Sequence, residues 1–167
     1  MAFSIYQASI PVFIHGLRNL SSFLGKAHAD AQTRKIDFSV LANARLAPDM
    51  FPLSRQIQIA SDMVKNGAGR LAGIELPSFP DTETTYDELQ ARIEKTIAFL
   101  GTIKESQLEG AESRDILLKF PGREISFSGA DYLSLFVLPN FYFHLTAAYA
   151  ILRHNGVQIG KMDFMGA

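Results

Sequence analysis

Leu138-Pro139-Asn140-Phe141-Tyr142-Phe143-His144, continued by Ala147, Ala148, Ile151, Leu152 and Arg153-His154-Asn155-Gly156, decides how this chain is read. At about 100° per residue, Asn140 and His144 share one helical stripe with Leu133, Val137, Ala147, Ala148 and Ile151. The stripe is otherwise apolar, so it is the inward face of a core helix. Two hydrogen-bonding side chains one turn apart on such a face are costly unless a ligand, a metal, a water or another helix satisfies them. The stretch therefore marks both a long helix, from about Gly129 to about His154 with Gly156 as its C-terminal cap, and a place where the protein acts.

Three earlier segments carry the same periodicity. Tyr6, Ile10, Phe13, Leu17, Leu20 and Leu24 alternate steps of four and three along one buried seam. Pro11 lies almost opposite that seam, where a solvent-side kink is expected rather than a break. A second helix opens around Pro48-Asp49, places Pro52 in its first turn and buries Leu53, Ile57, Ala60, Val64 and Leu71. It stops at Gly73, and Pro77 and Pro80 forbid continuation. Within it, Gly67-Ala68-Gly69 suits close approach of two helices. A third helix begins at the capping box of Thr85 with Glu88 and has the seam Tyr86, Leu89, Ile93, Thr96, Leu100 and Ile103. Between the third and fourth helices, Ile116–Phe120 and Glu124–Phe127 flank Pro121-Gly122-Arg123, the signature of a short β-hairpin. A lone hairpin is marginal, so this one has to pack on the bundle or a partner. The connection from Lys26 to Asp49 is expected to hold one more helical turn after Asp37. The tail, with Ile159, Met162 and Phe164 beside Lys161 and Asp163, is expected to fold back on the bundle. The fold expected is all-α: an up-down four-helix bundle with a short β-hairpin inserted before the last helix, as a single domain over residues 1–167.

The chain of 167 residues, 47% hydrophobic and 20% charged, is long enough for one domain with a real core. A formal net charge of −1 and no basic cluster longer than Arg34-Lys35 argue against a nucleic-acid surface. The absence of cysteine excludes disulfides, thiolate metal sites and cysteine nucleophiles. Met1-Ala2-Phe3-Ser4-Ile5 lacks a basic leader region, and no uninterrupted apolar run approaches about 18 residues. No membrane attachment is expected, and a cytoplasmic location is. No phosphate-binding loop, nucleotide fingerprint or Ser-His-Asp spacing is present.

The order of two helices, a Gly/Pro-marked crossover, a third helix, a hairpin and a fourth helix resembles the DinB/YfiT-like bundle superfamily. The superfamily's His-x-x-x-His on the last helix matches Asn140-Phe-Tyr-Phe-His144, and its Leu-Arg-x-x-Gly ending matches Leu152-Arg153-His154-Asn155-Gly156. Its third metal ligand, in a Leu-x-x-His pattern on the second helix, matches Leu53-Ser54-Arg55-Gln56. The chain is also similar to one branch known as a domain of unknown function. The phrases carrying that likeness are Arg45-Leu46-Ala47-Pro48-Asp49-Met50, Arg70-Leu71-Ala72-Gly73 and the ending from Asn140 through Gly160-Lys161-Met162-Asp163-Phe164. The resemblance implies metal-dependent chemistry, in several members with a low-molecular-weight thiol. Here two of the three imidazole positions carry amides, which are poor ligands for zinc or nickel. No cofactor is therefore expected; the alternative is a divalent transition metal, Zn or Ni, held by His144, Asn140 and Gln56.

The candidate pocket comprises Gln56, Asn140, His144, Arg45 and Asp49. His144 is either a reactive group, as general base or single metal ligand, or a core histidine hydrogen-bonded to Asn140 or Gln56. Arg45 and Asp49 sit on the loop entering the helix of Gln56, where they pair, cap the helix or line the pocket mouth; Asp49 as a cap is the simplest of these. Asp62 reads as a solvated or intersubunit carboxylate and His15 as a surface or interface residue. His28 and His154 are placed at or beyond helix ends. Tyr142 and Tyr149 share a second face of the last helix with Leu135 and Arg153, which favours a homodimer. The function expected is a dimeric small-molecule-binding module with a degenerate metal site. The competing function is a metal- or thiol-dependent transferase or hydrolase that uses His144.

Overall fold

The computed structural model describes residues 4–166; Met1-Ala2-Phe3, read above for a leader, lie outside them. Helix α1 spans Ile5–Arg34. The Ser4 hydroxyl accepts from Gln7 N–H and the Gln7 side chain accepts from Ser4 N–H, a reciprocal cap. Pro11 lies on the exposed face and the helix runs through it unbroken. The helix continues to Arg34 because Ala27 and Ala31 extend the buried seam beyond Leu24. His28 is consequently not at a helix end: it lies within α1, its ring stacked on Tyr86 at 4.0 Å.

The turn expected after Asp37 is α2 (Phe38–Ala42), with the Asp37 carboxylate accepting from Ser39 N–H. Helix α3 (Leu53–Ala72) closes at Gly73, whose φ of 67° is the left-handed value a terminating glycine supplies. Helix α4 (Tyr86–Gly101) opens on the Thr85–Glu88 box. There the Glu88 carboxylate gathers the amides of Thr84 and Thr85, which pushes its pKa down to about 2. Strands β1 (Asp115–Phe120) and β2 (Arg123–Ser128) pair antiparallel, with Ile116 opposite Phe127 and Leu118 opposite Ile125. Pro121-Gly122 alone makes the turn, Gly122 at φ 78°, and Arg123 already pairs with Phe120. Ile116 and Leu118 point into the core.

The last helix is composite, not uniform as its periodicity suggested. A short α5 (Gly129–Asp131) leads into a π-helical segment, Tyr132–Val137, and then into α6 (Leu138–His154). By length and composition this is the one helix of the described residues apolar enough to cross a membrane. Its inner stripe of Leu133, Val137, Phe141, Ala148 and Ile151 is core. Helix α3 packs on α4 and α6, and α1 on α4 and α6. Small residues set two of the close approaches: a Cβ on Gly67 would meet Val137 Cγ1 at 2.7 Å, and one on Gly16 would meet the Phe141 ring at 2.7 Å.

An ion cluster fastens the crossover between α3 and α4. Arg92, 3% exposed, lies 3.0 Å from Asp62, 2.9 Å from Asp81 and 2.9 Å from Glu83. Buried Lys65 reaches Asp62 at 2.8 Å, and Arg55 pairs with Asp81. Asp62 is thus an intramolecular anchor, a correction to its reading as a solvated or intersubunit carboxylate. The tail folds back as expected: α7 (Lys161–Met165) packs on α1. Phe164 sits edge-on to Tyr149, Asp163 pairs with Lys26, and His15 Nε2 donates to the Met165 carbonyl at 2.9 Å. Tyr149, held between Phe23 and Phe164, therefore does not share an open face with Tyr142.

Candidate functional site

Gln56 on α3 and His144 on α6 meet in the interior, 1% and 9% exposed. His144 Nδ1 and Gln56 Oε1 are 2.7 Å apart, and Gln56 Nε2 donates to the Phe51 carbonyl at 3.0 Å. The second bond orients the amide, so the oxygen faces the imidazole. A carbonyl oxygen only accepts, hence Nδ1 carries the hydrogen and Nε2 keeps its lone pair. Nε2 has no hydrogen-bond partner among the described residues, yet it is not among the atoms sealed from solvent without one. Burial, and then the charge of Arg55, hold the imidazole below the ordinary histidine value. The product is a neutral, oriented imidazole with one free basic nitrogen.

Asn140 does not complete this pair. It is half-buried, and its Nδ2 donates to the Phe136 carbonyl at 2.6 Å, one turn back on its own helix. A local backbone acceptor thus takes the amide that a three-residue network would need. Arg45 and Asp49 are both exposed and do not pair with each other among the described residues. Arg45 Nη1 donates to the Met50 carbonyl at 2.6 Å, which braces the loop. Asp49 does not cap α3 as expected. The N-cap is Pro52 with no side-chain bond, because a turn from Ala47 to Met50 spends Asp49 before the helix begins.

The three matching positions do not fit a zinc or nickel centre. They offer one imidazole and two amides; one amide is hydrogen-bonded to that imidazole and the other is turned to backbone. Among the described residues, no three His, Asp or Glu side chains converge as a metal site.

Sequence reasoning passed over a second, polar stripe of α3. Arg55, Asp62, Asn66 and Arg70 recur at helical steps and line a groove of about 550 Å³ against β1 and Phe136. Arg55 belongs both to this groove and to the charge field of His144. The signal was legible as periodic charge on a face not needed for the core.

A helical domain with an inserted hairpin, and a glutamine–histidine pair where the resemblance places metal ligands, together define a DinB-like protein. The chain belongs to the family described as Domain of unknown function (DUF1993), which matches residues 5–165. It is similar to a DinB family member protein from Shewanella denitrificans, whose crystal structure shares 40% sequence identity and a TM-score of 0.91. That match covers 98% of this chain and 92% of the other. No curated protein matches the chain.

Proposed function

We propose that this DinB-like protein binds a small molecule at the seam of α3 and α6, as a homodimer in the cytoplasm and without a bound transition metal. Its four long helices form an up-down bundle in this reading. The observation that carries it is the closed Gln56–His144 bond of 2.7 Å. It satisfies Nδ1 of His144 and Oε1 of Gln56 and leaves His144 Nε2 free to meet a ligand's donor. Support for pairing comes from the outer face of α6. Leu135 is 68% exposed and Phe143 57% exposed, and with Tyr142, Pro139, Leu46 and Met50 they extend an apolar surface with a groove of about 430 Å³. An apolar patch of this kind is unusual on a monomer.

The test uses protein labelled with ¹⁵N-histidine, titrated with a fragment library. A ligand of the seam shifts the His144 Nε2 resonance and leaves His154 unmoved, and Gln56→Ala weakens it. A library that yields binders, none of which moves His144, would sink the reading.

One observation favours an enzyme as the second reading. A neutral imidazole with an open Nε2 is already in the state a general base needs. Turnover of any thiol, ester or amide substrate that is lost in His144→Ala and retained in Asn140→Ala would select it.

A further inference from the structure

The groove between α3 and the hairpin is separate from the His144 pair: its lining includes neither Gln56 nor His144. Its cations differ in how far they are already neutralised. Arg55 is paired with Asp81, and Lys119 lies 3.4 Å from Glu124 in a pair that is itself largely exposed. Arg70 has no carboxylate partner among the described residues. Its Nη1 donates to the hydroxyl of Tyr132 at 3.0 Å. Tyr132 is fully buried in the π-helical segment, stacked on Phe136 at 5.7 Å. One corner of the guanidinium is therefore fixed by a rigid aromatic post, and the Nε and Nη2 edge makes no hydrogen bond among the described residues. That edge has the two-pronged geometry a planar carboxylate accepts side-on.

Between its polar groups, which include Asn66 and Lys119, the groove is open and offers apolar wall. Leu117, 49% exposed, and Phe120, 36% exposed, line it from β1, and Met63 and Phe136 line it as well. Asp62 also lines the groove, but it sits two turns from Arg70 on α3, about 12 Å along the axis. It is held there by Lys65 and Arg92. A volume of about 550 Å³ lies within the range of small-ligand sites, which combine apolar walls with a few fixed polar groups.

We propose that this groove binds a small amphipathic carboxylate, its head on the free edge of Arg70 and its apolar body against Met63, Leu117, Phe120 and Phe136. Tyr132 is a positioning residue that aims the guanidinium. The site goes beyond the His144 reading, and either can fail without the other.

The experiment is calorimetric and NMR titration of the full chain with decanoate, decanol and decyltrimethylammonium, all kept below micelle formation. Decanoate binds one per chain, at least tenfold tighter than the other two, and shifts resonances of Leu117 and Phe120. Arg70→Gln, which removes the charged two-pronged edge, weakens decanoate about ten- to hundredfold, and Arg70→Lys gives an intermediate loss. Leu117→Glu, at an exposed position that leaves the core untouched, weakens it as well and serves if the Arg70 variants do not fold. Arg18→Ser, at an exposed position of α1 away from the groove, leaves binding unchanged. Equal affinity for decanol, or decanoate binding indifferent to both Arg70→Gln and Leu117→Glu, would overturn the proposal.

Discussion

His144 is the residue on which the chemistry turns, and its state follows from two neighbours. Gln56 fixes the tautomer; burial and Arg55 disfavour the imidazolium. The native pKa therefore lies below the unfolded value of about 6.5. Between the two values the unfolded chain binds more protons, so stability is complete above about pH 6.5 and is lost as pH falls through the native pKa. Melting temperature against pH should decline over that window in the wild type and decline less in His144→Gln; identical profiles would show that His144 does not titrate as described. Gln56→Ala leaves a buried Nδ1–H and the Phe51 carbonyl without this partner, and should cost about 1–3 kcal/mol in chemical denaturation. Gln56→Glu should move the His144 pKa upward, since a carboxylate beside Nδ1–H favours the cation. The pair itself was half legible in the sequence. The stripe of Asn140 and His144 on an apolar helix pointed inward, and Gln56 lay on the flank of its own seam. The detachment of Asn140 was not legible, because its choice of the Phe136 carbonyl depends on a rotamer and not on helical phase.

At the scale of elements, most boundaries followed from local chemistry. The Thr85–Glu88 box, Asp37 before α2, Gly73 and Gly156 after their helices, and Pro121-Gly122 in the hairpin each act within a few residues of the chain. The Gly67-Ala68-Gly69 run was legible for the same reason, and Gly67→Val should overpack the contact with Val137 and destabilise by about 1–3 kcal/mol in urea unfolding. Two features were not legible. The π-helical segment Tyr132–Val137 absorbs its extra residue within a stretch apolar on most sides, so the 3.6-residue pattern carries no mark of it. The ion cluster joins residues far apart in sequence, and a wheel drawn for α3 alone put Asp62 in solvent. Arg92→Ala should cost about 3 kcal/mol, the lower end for breaking a buried pair because Asp62 and Asp81 keep some solvent contact. It should also make the crossover from Ile74 to Thr85 the first site of limited proteolysis; cleavage elsewhere first would assign the cluster no role in holding that segment.

For the whole molecule, the outer face of α6 carries the expectation of a homodimer, with one revision. Tyr149 is covered by Phe164 and Phe23, so Tyr149→Glu would loosen the tail and not test pairing. Tyr142→Glu and Phe143→Glu place charge on the exposed stripe, and a twofold contact would bring each substituted side chain close to its copy. Sedimentation at tens of micromolar should show a dimer for the wild type and a monomer for these variants. The fold as a whole rested on four seams and a hairpin, and the likeness to a DinB family member supports a mostly helical, DinB-like fold. The feature that sets the interior apart is narrower: a glutamine–histidine hydrogen bond stands where metal ligands would converge. Elemental analysis of protein purified without chelator tests it most directly. Zinc and nickel should lie far below one per chain; about one per chain, lost in His144→Ala, would mean that these residues hold a metal after all.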